Sequence, residues 1–94
     1  MAAKIDVARA REGEFQVVVV EGTSRSKHHV TLKEGDYARL SEGKIQPEEL
    51  IVKSFEFLLE HEPKESILPR FDLLDIARYF PRFERHVRQK MGLE

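Results

Sequence analysis

The hydrophobic and polar positions follow two rhythms. Near the start of the chain apolar residues alternate with polar ones or form short blocks. From about residue 35 they recur at three- and four-residue spacing. Residues 14–21, EFQVVVVE, hold four consecutive valines. Valine is branched at Cβ and stiff about its first side-chain torsion, which disfavours helix and suits a pleated strand. A run that is apolar on both sides predicts a strand covered on both faces, or one face held in a subunit contact. Gly22, Thr23, Ser24 and Ser26 read as a turn. Residues 27–32, KHHVTL, then alternate, with His28, Val30 and Leu32 on one face and Lys27, His29 and Thr31 on the other. Two strands with a short connection predict an antiparallel hairpin. Upstream, Ile5 and Val7 alternate with Asp6 and Ala8, which reads equally as a short strand or a frayed terminus.

The helical rhythm begins with a short segment at 35–41 that turns Tyr37, Ala38 and Leu40 inward. Gly43 stands where a helix stop is needed, because glycine adopts the left-handed conformation without steric cost. Residues 47–61, PEELIVKSFEFLLEH, form the strongest helix. Pro47 fits the first helical position, and Glu48 and Glu49 sit in the first turn, where the helix dipole favours them. Leu50, Ile51, Val52, Phe55, Phe57, Leu58 and Leu59 cover roughly 220° of its circumference at 100° per residue. Such a helix is buried by two layers, or by one layer and a partner chain. Residues 63–71 contain two prolines and read as a loop, with Ile67, Leu68 and Phe71 tucked onto the core. Asp72 caps the next helix, and Asp75 three residues on gives a box-like start. Pro81 clashes with the carbonyl of Ala77 in a continuous helix, so a break falls near Phe80. Residues 81–91 form a last helix with a thin stripe of Phe83, Val87 and Met91, and 92–94 read as a tail.

These elements give an α+β fold, an N-terminal antiparallel β-hairpin followed by three or four α-helices packed on one face. The expected core holds Val18, Val20, Val30, Leu32, Leu50, Ile51, Phe55, Leu58, Leu59, Ile76 and Phe80. Ninety-four residues make a single small domain spanning 1–94, with 1–12 and 92–94 as candidate disordered ends. No apolar run approaches the roughly 18 residues of a membrane span, and the N-terminus has no apolar signal segment. The expectation is a cytoplasmic protein without membrane attachment.

Cysteine is absent, which removes disulfides, thiolate metal sites and cysteine nucleophiles. His28 and His29 are adjacent and point to opposite faces of a strand, so they do not chelate one metal. Ser24 and Ser26 lie beside these histidines, yet no strained nucleophile elbow accompanies them. No phosphate-binding glycine loop is present. The reading is therefore no catalytic residue, no metal and no cofactor. Net charge is −1 but unevenly spread. Residues 1–33 carry a net +2, 34–65 a net −5 and 66–94 a net +2. Within 76–91, Arg78, Arg82, Arg85, Arg88 and Lys90 face a single acid, Glu84. This basic face is a candidate surface for an acidic protein partner.

Residues 27–61 run as strand, short helix, glycine-bearing turn and longer helix. VTL before an acidic residue, Tyr37 and Leu40, Gly43, then Glu49 to Ile51, Ser54 and the closing Leu58 and Leu59 resemble the ribbon-helix-helix DNA-binding domains. That resemblance implies an obligate dimer whose paired strands enter the major groove. Lys27, His29 and Thr31 would then face the bases, with Arg25 and Lys33 near phosphates. The function expected of the chain is a small non-enzymatic interaction module, homodimeric, with a ribbon-helix-helix-like DNA-binding regulator as the alternative.

Overall fold

A computed structural model describes residues 3–93. Residues 1, 2 and 94, which belong to the ends expected to be loose, lie outside the described residues. The chain runs β1 (Lys4–Arg11), β2 (Glu14–Glu21), β3 (Ser24–Thr31), α1 (Glu34–Ser41), α2 (Pro47–His61), a 3₁₀ turn at Lys64–Ser66, β4 (Arg70–Asp72), α3 (Asp75–Tyr79) and α4 (Phe83–Lys90). The class is α+β. The sheet has four strands in the order β1-β2-β3-β4, so the valine strand is internal. β1 and β2 are antiparallel, as are β2 and β3, whereas β4 runs parallel to β3.

Two differences from the sequence reading concern the first strands. Residues 4–11 are ordered as an edge strand, because Ile5 and Val7 lie in register with Val19 and Val17 and extend their apolar rows. β3 begins at Ser24, so the turn shrinks to Gly22 and Thr23. Gly22 has φ 62° at the first central position, as a two-residue type II′ hairpin requires. A third difference is one of parity. Val17 and Val19 are fully buried and Val18 and Val20 only half-buried, the reverse of the expected core. The run of valines hides the alternation, and Phe15 decides it. Its ring is buried on the face of Val17 and Val19, leaving Gln16 on the other.

The wide apolar arc of α2 is covered within the chain, since α2 packs against both β1 and α4. Leu50, Ile51, Phe55, Phe57 and Leu58 are buried, and Leu59 is half-buried. Phe57 is a hub, with the rings of Phe80, Phe83, His61 and His86 at centroid distances of 4.4–5.7 Å. Phe80, expected in the core, is half-buried at the predicted break, where its backbone leaves the helical region. The expected Asp72 cap on the helix does not form, since α3 begins at Asp75 with Leu74 at its N-cap and no side-chain cap bond, and Asp72 and Asp75 instead brace the turn at 73–74. Leu74 N–H donates to Asp72 Oδ2 at 3.2 Å, and Asp72 N–H donates to Asp75 Oδ2 at 3.2 Å. The helix stop differs in detail, because Glu42 itself takes the left-handed conformation at φ 51°, followed by Gly43 at 74°.

Candidate functional site

A groove of about 320 Å³ opens between the C-terminal end of α2, the loop at 66–68, β4 and α3. Its floor is apolar. Leu58, Ile67, Phe71 and Ile76 form it, all buried. Its walls include Leu68 and Tyr79, which are 49% and 70% exposed and are the exposed large hydrophobics among the described residues. Glu62 and Asp75 supply carboxylates to the lining. Asp75 is partly engaged, accepting from the Asp72 backbone and lying 3.9 Å from Arg78. The Glu62 side chain is half-buried and has no hydrogen bond or ion pair among the described residues. It stands just past the C-terminus of α2, where the helix dipole adds further negative potential.

The sequence had placed Leu68 on the core. Instead its backbone is fixed and its side chain is presented outward. His28 Nδ1 lies 2.8 Å from the Leu68 carbonyl, and the His29 N–H donates to the Pro69 carbonyl at 2.7 Å. A carbonyl only accepts, so Nδ1 carries the proton, and in the neutral ring Nε2 accepts from Ser26 Oγ at 2.8 Å. Pro69 also restricts the residue before it to an extended backbone. That Leu-Pro pair was the available signal that position 68 is held rigid. Glu62 and Asp75 left no such signal, because their convergence depends on how α2 and α3 pack.

Ser26 and His28 have the contact distance of a nucleophile and its base. The imidazole is buried at 3% exposure, 5.4 Å from the Phe55 ring, and neither residue lines the groove. The observed work of this pair is to tie β3 to the loop that carries Leu68.

The residues that the DNA-binding resemblance singles out are brought together in part. Arg25, Lys27, His29 and Thr31 lie on the solvent-facing side of β3, and Lys33 follows the strand at the N-cap of α1. His29 and Thr31 are already engaged. Gln16 Nε2 lies 2.8 Å from His29 Nδ1, Glu14 Oε1 lies 3.1 Å from His29 Nε2, and Thr31 Oγ1 donates to Asp72 Oδ1 at 2.7 Å. β2 occupies one edge of β3 along its length, and β4 the other edge at His29, Val30 and Thr31. An intermolecular ribbon through these residues would need β4 displaced.

The expected basic face is also divided. Arg88 is turned onto α1, donating to the Arg39 carbonyl at 2.8 Å, the Leu40 carbonyl at 3.3 Å and Glu42 Oε2 at 2.7 Å. The last carbonyls of a helix lack partners within it, so Arg88 serves as a C-terminal cap for α1. Arg78, Arg82, Arg85 and Lys90 remain at the surface, Arg78 beside Asp75. Among the described residues no group of three or more His, Asp or Glu is placed to hold a metal ion. No described helix is long and apolar enough to cross a membrane. No protein-family model, curated protein or solved structure matches this chain.

Proposed function

We propose that the chain is a non-enzymatic interaction module whose groove receives a segment of a partner protein, an apolar side chain next to lysine or arginine. One observation carries the reading. Leu68 and Tyr79 converge, exposed, on the same groove that holds the unpaired carboxylate of Glu62. Burying a leucine side chain is worth about 1.5–3 kcal/mol, so leaving one fixed in water is costly unless a partner covers it. Tyrosine adds rigid contact area at little entropic cost and can keep its hydroxyl wet. The groove has the volume of a small pocket, with room for a side chain or two. A cation above Glu62 completes it. The test is selection from a phage-displayed library of random peptides by the full chain. Enriched sequences should pair an apolar residue with Lys or Arg and should be lost with Tyr79→Ser and weakened with Glu62→Gln. No enrichment, or the same sequences enriched by Tyr79→Ser, overturns the reading.

The DNA-binding alternative draws on a different surface. Arg25 and Lys27 share the open face of the sheet with Lys4 on β1 and Arg70 on β4, spread over three of the four strands rather than along a two-chain ribbon. A titration with labelled duplex DNA tests it. Arg25→Ala and Lys27→Ala should then weaken binding without unfolding the protein, and affinity should fall steeply with salt. Absence of binding at low salt sinks it.

A further inference from the structure

We infer that a second copy of this chain pairs antiparallel with the open edge of β1, on a twofold axis through Ile5. In an antiparallel ladder alternate residues turn their N–H and C=O toward opposite sides of the strand. Leu32 N–H donates to the Gly13 carbonyl, while His29 N–H and the Thr31 carbonyl bond toward β4. Even-numbered residues of β3 therefore face β2. Through the registers Val17 with His28 and Asp6 with Val18, Lys4, Asp6 and Ala8 of β1 face β2. Ile5, Val7 and Arg9 turn their N–H and C=O away from β2, and among the described residues no strand lies on that side of β1.

An edge of eight residues without proline is a ready template for another strand. What selects a second copy is the side-chain pattern. The segment Ala3-Lys4-Ile5-Asp6-Val7 is complementary to itself when reversed about Ile5. On one face Ile5 meets the partner's Ile5, and Ala3 and Val7 meet the partner's Val7 and Ala3. On the other face Lys4 meets the partner's Asp6, and Asp6 meets the partner's Lys4. These charge pairs fall at the non-hydrogen-bonded positions, where opposed side chains approach most closely. Neighbouring registers fail. An axis through Asp6 or Lys4 sets like charges against each other, and one through Val7 sets Ile5 against the partner's Arg9. Ile5 and Val7 are only half-buried within one chain, so the pairing also covers apolar surface. The contact is short for an obligate dimer, and the association is expected to weaken on dilution.

The test is analytical ultracentrifugation of the full chain at concentrations up to about 1 mM, the weak end of specific association. The mass should rise with concentration from 11.0 kDa toward twice that value. Lys4→Asp opposes aspartate to aspartate and should remain at the mass of one chain, as should Asp6→Lys. An equal mixture of the two variants, and the double exchange in one chain, should recover the dimer. The double exchange keeps both charges and tests the register even if a single exchange fails to fold. Tyr79→Ser should leave the mass unchanged, which separates this contact from the groove. A chain of single mass throughout, or a dimer unaltered by Lys4→Asp and Asp6→Lys, overturns the inference.

Discussion

Lys64 shows how far a residue's environment depends on distant chain. It is 2% exposed, donates to Ser24 Oγ at 2.6 Å, lies 3.5 Å from Glu21 and pairs with Glu65. The hydrogen bond and charge of Lys64 hold the Glu65 carboxyl below its ordinary value, and the same contact raises Lys64 above its own. A lowered carboxyl contributes stability above the ordinary carboxylate range and loses it as pH falls through the folded value. A raised lysine contributes below its ordinary range and loses it only as pH rises through the folded value. The pair thus contributes fully at neutral pH. Urea midpoints followed from neutral pH into acid should fall less steeply for Glu65→Gln than for the native chain, and equal slopes would disprove the coupling. Local pattern gave no hint of this burial, because Ser24 and Glu21 are about 40 residues away. Phe55 was legible, as the centre of an apolar helical arc, and it is fully buried. Phe55→Ala should cost about 3–5 kcal/mol in urea denaturation. The valine parity is hidden within four identical residues and is carried only by the apolar Phe15 and polar Gln16 just before them. Val17→Ala should cost about 2 kcal/mol and Val18→Ala under about 1 kcal/mol. The opposite order would place Val18 rather than Val17 in the core.

Elements were readable where sequence signals are local. β2 and α2 have the expected bounds because a β-branched run and a Pro-Glu-Glu helix start act within a few residues. The Asp72 and Asp75 contacts follow from a three-residue spacing, but they brace the turn before α3 rather than cap the helix, because the chain leaves β4 through that turn first. β4 escaped because three residues carry too little periodicity, and its parallel pairing with β3 is set by the return of the chain from α2. The basic stripe of α4 was read from charge alone, which cannot tell a solvated arginine from one that docks. Arg88 docks, on the unsatisfied carbonyls of α1 and on Glu42. Hydrogen bonds from a charged donor are stronger than neutral ones, though this side chain keeps some access to water. Arg88→Ala should therefore lower stability by about 1–2 kcal/mol, whereas exposed Arg82→Ala should stay within about 0.5 kcal/mol. Equal effects in paired thermal melts would show that Arg88 does not hold α4 to α1.

At the scale of the molecule, short elements depend on a shared interior. α4 is an eight-residue helix, well below the length at which an isolated helix is stable in water. Its order rests on Phe83 and Val87, both fully buried in the cluster that also contains Phe57, Leu40 and the inner face of the sheet. β1 contributes Ile5 and Val7 to the same cluster, and Arg9 lies over the Phe15 ring at 5.5 Å while pairing with Glu48 of α2 at 3.0 Å. The groove inherits this dependence, because Phe71 and Ile76 are at once core residues and its floor. The sequence made the existence of one core legible, but not the groove, whose walls meet only after β4 has joined the sheet. A core shared by both ends of the chain predicts a single unfolding transition. Hydrogen exchange under mild denaturant should give amides of β2 and α2 one common opening free energy. Val87→Ala, at the far end of the chain, should lower that value in β2 as much as in α2. If exchange in β2 were unchanged by Val87→Ala, the sheet and the C-terminal helices would be separate cooperative units, and a partner in the groove would stabilise only the second of them.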